Sequence, residues 1–159
     1  MKETIFEPAN KIEVKEHLYD VKAHFTRVLD FGIKIQDLLK HPELMPSQGA
    51  RYNFEFEGDI IGDKLNGTIK GVDYGYMRPD GHARLHIHAV ITTDTGANID
   101  LTCEGITFRS EDPMIYNLRE SIILFTDDPD YNWVNQVHIW ARGTTNLNKG
   151  EINLSSFIA

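Results

Sequence analysis

The stretch "RYNFEFEGDI" sets Tyr52, Phe54 and Phe56 against Asn53, Glu55 and Glu57, and this period of two constrains the fold more than any other feature of the chain. The period recurs. In "VKAHFTRVLDF", Val21, Ala23, Phe25, Leu29 and Phe31 share one face with only Arg27 intruding. In "ANIDLTCEG", Ala97, Ile99, Leu101 and Cys103 face away from Asn98, Asp100, Thr102 and Glu104. Each segment reads as a strand with one buried and one wetted face, and helical period is scarce.

Further strands are expected over residues 63–77, 82–94, 119–126, 134–142 and 150–158, separated by turns at "RPDG", "DTG" and "NLNKG". In "RPDG" the proline presets the first turn angle and the glycine accepts a positive one. Eight strands joined in sequence order predict an all-β fold: an antiparallel, largely up-and-down β-barrel, closed because closure removes exposed edges. In "IQDLLKHPELMPSQ" the period changes. Ile35, Leu38 and Leu39 have helical spacing and Pro42 and Pro46 end the run, which predicts one short helix near residues 35–41 over a barrel end. "RSEDPMIYNLRE" reads as a long surface connection. The expected organisation is a single domain over residues 1–159 with an N-terminal extension of about residues 1–20.

A chain of 159 residues, 41% hydrophobic, can bury a core without staples. Its net charge of −8 and pI near 5.3, with basic residues scattered singly, argue against nucleic acid or an anionic membrane as partner. A single cysteine, Cys103, excludes an internal disulfide framework and a multi-cysteine zinc site, fits a reducing compartment, and reads as a small core residue. The opening "MKETIFEPANKIEVKEH" is charged throughout and lacks the apolar run of a signal peptide, so a cytoplasmic location is expected. The glycine-rich phosphate loop, the nucleophile elbow and the Ser/His/Asp order are all missing. No cofactor is therefore expected.

The chemistry concentrates in "DYGYMRPDGHARLHIHAV". His86 and His88 alternate with Leu85, Ile87 and Ala89, so they share a strand face with Arg84 and can converge on one volume. A His-x-His pair on a strand is a metal-ligand geometry of the cupin kind. Here Thr92 and Thr93 stand where a glutamate would continue that motif, and Arg84 would repel a cation. No metal is expected, and the histidines remain catalytic candidates or hydrogen-bonded barrel residues. Asp73 is alone on a face otherwise made of Leu65, Gly67, Ile69, Gly71 and Gly75. Turned inward, it is a carboxyl in an apolar cavity with room for a ligand, its pKa raised towards neutrality. Alternatively, the glycines relieve crowding and Asp73 caps a backbone group. In "DPDYNWVNQVHIW", Tyr131, Trp133 and Asn135 alternate, which suits a pocket mouth or an aromatic plug at the barrel end.

Three stretches in order, "GDIIGDKLNGTIKGVDYGYMRPDG", "HAVITTDTGANIDLTCEG" and "FTDDPDYNWVNQVHIWARGTTNLNKGEINLSSF", resemble the successive blocks of the domain-of-unknown-function family 3237 over about residues 21–158. The family's glycine-then-aspartate-aromatic block matches Gly71, Asp73 and Tyr74. Its arginine-proline-aspartate-glycine turn matches Arg78, Pro79, Asp80 and Gly81, and its aromatic-x-tryptophan-x-asparagine block matches Tyr131, Trp133 and Asn135. The chain departs by a longer "IKIQDLLKHPELMP" before the second strand. The resemblance implies a lipocalin-like antiparallel barrel with a lumen and carries over no catalytic residue.

The favoured reading is a barrel that binds a small, uncharged or weakly polar molecule, as a lyase or isomerase with Asp73 as proton donor or acceptor. His86, His88 and Arg84 would position a carbonyl or carboxylate, and Tyr74, Tyr131, Trp133 and Asn135 would line the ligand. A second reading is a non-catalytic barrel whose outer surface assembles a homo-oligomer, and a third is a histidine-ligated metal-binding protein. The face of strand 83–91 that points inward discriminates among them.

Overall fold

The computed structural model describes residues 14–159. Eight strands, β1 (Glu16–Asp30), β2 (Ala50–Ile61), β3 (Gly67–Met77), β4 (Ala83–Thr93), β5 (Asn98–Arg109), β6 (Ile115–Phe125), β7 (His138–Asn146) and β8 (Glu151–Ile158), each pair antiparallel with the next. β8 pairs back onto β1, so the barrel closes in the expected up-and-down order. One helix, α1 (Ile35–Lys40), interrupts the connection between β1 and β2, followed by a 3-10 turn at Pro42–Leu44. The expected N-terminal extension lies mostly outside the described residues; within them, β1 begins at Glu16.

Strand faces follow the apolar alternation except where a bulge shifts it. On β1 the register against β2 slips between Phe25 and Arg27. An extra residue transfers the following side chains to the other face. Phe25 therefore lines the interior, Val28 takes over the inward role, and Leu29 and Phe31, expected inside, are exposed. Arg27 does not intrude on the core but lies outside near Glu55. A second slip, between His17 and Tyr19 against β8, buries both Leu18 and Tyr19.

The interior divides into two packed ends with a cavity between them. Leu65, Ile91, Ile99, Leu124, Val134 and Ile139 belong to one end, all fully or almost fully buried. At the other end α1 lays Ile35 and Leu38 over Ala50, Tyr52, Met77 and Tyr116, so the helix covers a barrel end as its apolar spacing predicts. Tyr52 ties the covering segment down by donating its hydroxyl to the Ile33 carbonyl at 2.8 Å.

The β5–β6 connection is shorter than expected. β5 runs to Arg109 and β6 starts at Ile115, so "IYNLRE" is strand and not surface loop. Tyr116, Leu118, Glu120, Ile122 and Leu124 are its buried set. The segment after β6 departs the other way: Asn132–Gln136 is a 3-10 turn, and β7 begins only at His138.

Candidate functional site

The lumen between the two packed ends holds a cavity of about 90 Å³. It is smaller than the roughly 150 Å³ apolar cavity that accepts benzene, so its fit is to a molecule of about four heavy atoms. Its wall is aliphatic and aromatic, with Phe25, Phe54, Phe56 and Leu85 among the side chains that line it. The ionisable carboxyls on it are Asp73 and Glu120, and no lysine, arginine or histidine among the described residues lines it.

Asp73 lies at a local opening of the sheet. β3 and β4 pair through Asp73 with Ile87 and again through Tyr76 with Arg84, while the two positions between are unpaired. In that gap the His86 backbone N–H donates to Asp73 Oδ1 at 3.0 Å, so the carboxylate takes the place of a ladder carbonyl. The second oxygen is beside Gly75, where a β-carbon would come within 3.6 Å of Asp73 Oδ2 and 3.1 Å of the Phe54 ring. A β-carbon there would be in ordinary contact with that oxygen and tight against the ring. One oxygen of Asp73 thus caps a backbone group, and the residue is also part of the cavity wall. Burial pushes its pKa up to about 6, against the opposing pull of the His86 N–H and then of the His86 charge.

Glu120, on β6 across the lumen, has the same signature: a lone polar side chain in an apolar alternating set. It is 5% exposed, and burial followed by the negative charge of Asp73 raises it to about 8, opposed by the Cys103 thiol beside it. Burial likewise drives the Cys103 thiol well above its ordinary range, which leaves it a protonated core group. Glu120 also belongs to a continuous rung. Tyr19 pairs with Ser156, Ser156 with Ala141, and Ala141 with Glu120, so four inward residues line up across β1, β8, β7 and β6. All four are buried. The hydroxyls of Tyr19 and Ser156 are buried beside each other on this rung, and no other side chain among the described residues partners them. A third such hydroxyl, of Tyr116, lies towards the α1 end.

The expected convergence of Asp73 with the histidines is not found. β4 turns Leu85, Ala89 and Ile91 inward, and Arg84, His86 and His88 are exposed on the outer wall. The physical reason is register: an apolar set on one face and a polar set on the other cannot both enter the lumen, and burial selects the apolar one. His86 instead lies 3.6 Å from Glu104 and 5.4 Å, ring to ring, from His88, with Tyr74 also outside. Tyr131 and Trp133 pack against the core at the end opposite α1, as an aromatic plug would. Asn135 is exposed and is no part of the lumen; its side chain accepts from Thr126 N and donates to Thr126 O, each at 2.8 Å, clasping the turn. Among the described residues no group of three or more His, Cys, Asp or Glu side chains is placed to hold a metal. No helix among them is long and apolar enough to cross a membrane.

The sequence model of a family described as "Protein of unknown function (DUF3237)" matches residues 24–157. No curated protein matches the chain. Several solved structures share its fold. A beta-barrel like protein from Acinetobacter baumannii is 20% identical, with a TM-score of 0.73 over 94% of this chain and 98% of that one. A protein with unknown function from Clostridium acetobutylicum is 18% identical, with a TM-score of 0.74 over 90% and 96%. A protein from Penicillium herquei described as an enzyme is 21% identical, with a TM-score of 0.59 over 89% and 92%.

Proposed function

The chain belongs to the DUF3237 family, and from that premise we propose that its barrel binds a small, largely apolar molecule in the lumen and moves a proton within it, as an isomerase or lyase. One observation carries the reading: Asp73 lies on the wall of an apolar cavity that no Lys, Arg or His of the described residues lines, with one of its oxygens anchored by a backbone N–H. A carboxyl held this way has a fixed direction and a proton affinity close to the working pH, the two properties required of a general acid or base. Near pH 7 Asp73, raised to about 6, is mostly ionised and acts as the base. That a structural neighbour from Penicillium herquei is described as an enzyme is compatible with catalysis in this fold.

The test uses acetone, a ketone of about the cavity's size. Ligand-detected NMR reads its binding, and deuterium uptake at its α-carbon in D2O reads proton abstraction. Wild-type protein should bind it and accelerate exchange about 100-fold over Asp73→Asn, the range of a positioned acid or base. Failure to bind would remove the lumenal reading, and binding with equal exchange in both proteins would remove the catalytic part.

A second reading, a barrel that assembles a homo-oligomer through its outer wall, draws support from Val90, Ile106, Ile123, Phe125 and Trp140, large side chains exposed on neighbouring strands β4 to β7. Sedimentation of wild type against Ile123→Glu/Phe125→Glu tests it: a dimer or larger species that dissociates in the variant supports it, and a wild-type monomer rules it out.

A further inference from the structure

We infer that the lumen's ligand carries a primary ammonium group, held between the Asp73 and Glu120 carboxyls, on a short alkyl tail that packs against the apolar wall. The inference rests on the lumenal reading above and names the charge of what is bound.

What the lumen lacks is a positive charge. Asp73 and Glu120 are both on the cavity wall, 8% and 5% exposed, and no lysine, arginine or histidine among the described residues joins them there. A carboxylate shut away from water is ordinarily paired, because otherwise it loses its hydration with nothing in exchange. The pull of His86 on Asp73 comes from the outer wall, and the charge that Glu120 feels is that of Asp73, of like sign. Of the four carboxyl oxygens, Asp73 Oδ1 accepts the His86 N–H. The other three accept no N–H or O–H among the described residues, and the Cys103 thiol beside Glu120 is only a weak donor. Unlike the hydroxyls of Tyr19, Ser156 and Tyr116, these oxygens are not sealed off without surface.

The cavity has room for about four heavy atoms, so an occupant that touches Asp73 is also close to Glu120. At neutral pH Glu120, raised to about 8, keeps its proton and Asp73, raised to about 6, is mostly ionised, so the pair carries close to one negative charge. One ammonium balances it. Its N–H donors reach the free Asp73 oxygen and the Glu120 carbonyl oxygen, and Phe25, Phe54, Phe56 and Leu85 take the alkyl tail. Other occupants fit less well. An uncharged one leaves the Asp73 charge unmatched, a quaternary ammonium has no N–H to give, and a metal ion would meet hydrocarbon where it needs further oxygen ligands.

Isopropylammonium, isopropanol and acetone share one size and branched shape, and differ in charge. At pH 7, ligand-detected NMR should show wild-type protein binding isopropylammonium about tenfold more tightly than isopropanol. Asp73→Asn removes the charge and should cut that preference to about threefold or less. Glu120→Leu removes the second acceptor, should raise the melting temperature by deleting a buried carboxyl, and should lower the preference by at least about threefold. The titratable groups on the cavity wall besides Asp73 are Tyr19 on β1, Cys103 on β5, and Glu120 and Tyr116 on β6. Burial raises Tyr19, Cys103 and Glu120, so Asp73 is the carboxyl that takes up a proton as pH falls from 7 to 5. The wild-type preference should therefore fall across that window, and equally so in His86→Ala, where the outer imidazole is gone. This pH series decides the case if Asp73→Asn does not fold. A wild-type preference below about threefold at pH 7, or one that persists undiminished in Asp73→Asn, in Glu120→Leu or at pH 5, would overturn the inference. If neither isopropylammonium nor acetone binds, the lumenal reading fails and this one with it. If acetone binds with Asp73-dependent exchange while isopropylammonium binds no more tightly than isopropanol, this one fails alone.

Discussion

Replacing Glu120 by glutamine should make the barrel more stable, and only at neutral to alkaline pH. The native fold holds the Glu120 proton up to about pH 8, whereas an unfolded chain releases it near 4.5. Stability from this group is therefore complete below pH 4.5, falls as pH rises towards 8, and levels off above it. At about 1.4 kcal/mol per pH unit the loss approaches 5 kcal/mol, a large share of the 5–15 kcal/mol that holds a typical domain together. Glutamine keeps the shape and cannot ionise. Urea unfolding from pH 5 to pH 9 should show wild type and Glu120→Gln close together at pH 5 and separated by several kcal/mol at pH 9, or about 10–20 °C in Tm for a chain of this size. Asp73 adds an earlier loss, between about pH 4 and pH 6, and Asp73→Asn should remove that part and also shrink the Glu120 part, because the Asp73 charge helps to raise Glu120. A wild-type stability that is level from pH 6 to pH 9, or that falls equally in Glu120→Gln, would refute the claim that this carboxyl is buried without a counter-ion.

The double variant His86→Ala/His88→Ala should leave acetone affinity unchanged and Tm within about 2 °C, since both rings are on the outer wall and exposed ion pairs contribute little; a tenfold loss of affinity would return the histidines to the site. Gly75→Ala should keep the fold while weakening acetone binding and slowing α-exchange about tenfold, because the added methyl presses on the Phe54 ring and comes into contact with Asp73 Oδ2; unaltered exchange would show that this oxygen is not the one in use.

The barrel itself is legible because period-two alternation is a local property, visible strand by strand. The faces are less so. β1 misleads past Phe25 because a bulge changes which residues point inward without altering the composition around it. Tyr131, Trp133 and Asn135 satisfy the strand period by coincidence in a 3-10 turn, and what fixes that turn is the clasp between Asn135 and Thr126, nine residues away. Asp73 is readable as one acid in an apolar alternating run, and Glu120 has the same mark between Leu118 and Ile122. Reading "IYNLRE" as loop hides that alternation, since it begins at Tyr116. The histidines show the reverse error, in which residues rich in chemistry are credited with the inner face. Burying Leu85 or Ile91 is worth about 2 kcal/mol each, whereas an imidazole turned inward would lose water with no partner to replace it. The rung lies beyond any local pattern. Tyr19, Glu120 and Ser156 share a rung only because β8 closes onto β1 and the slip between His17 and Tyr19 sets the register at that seam, so a shift of one residue there would separate the three side chains while leaving every strand's own alternation intact.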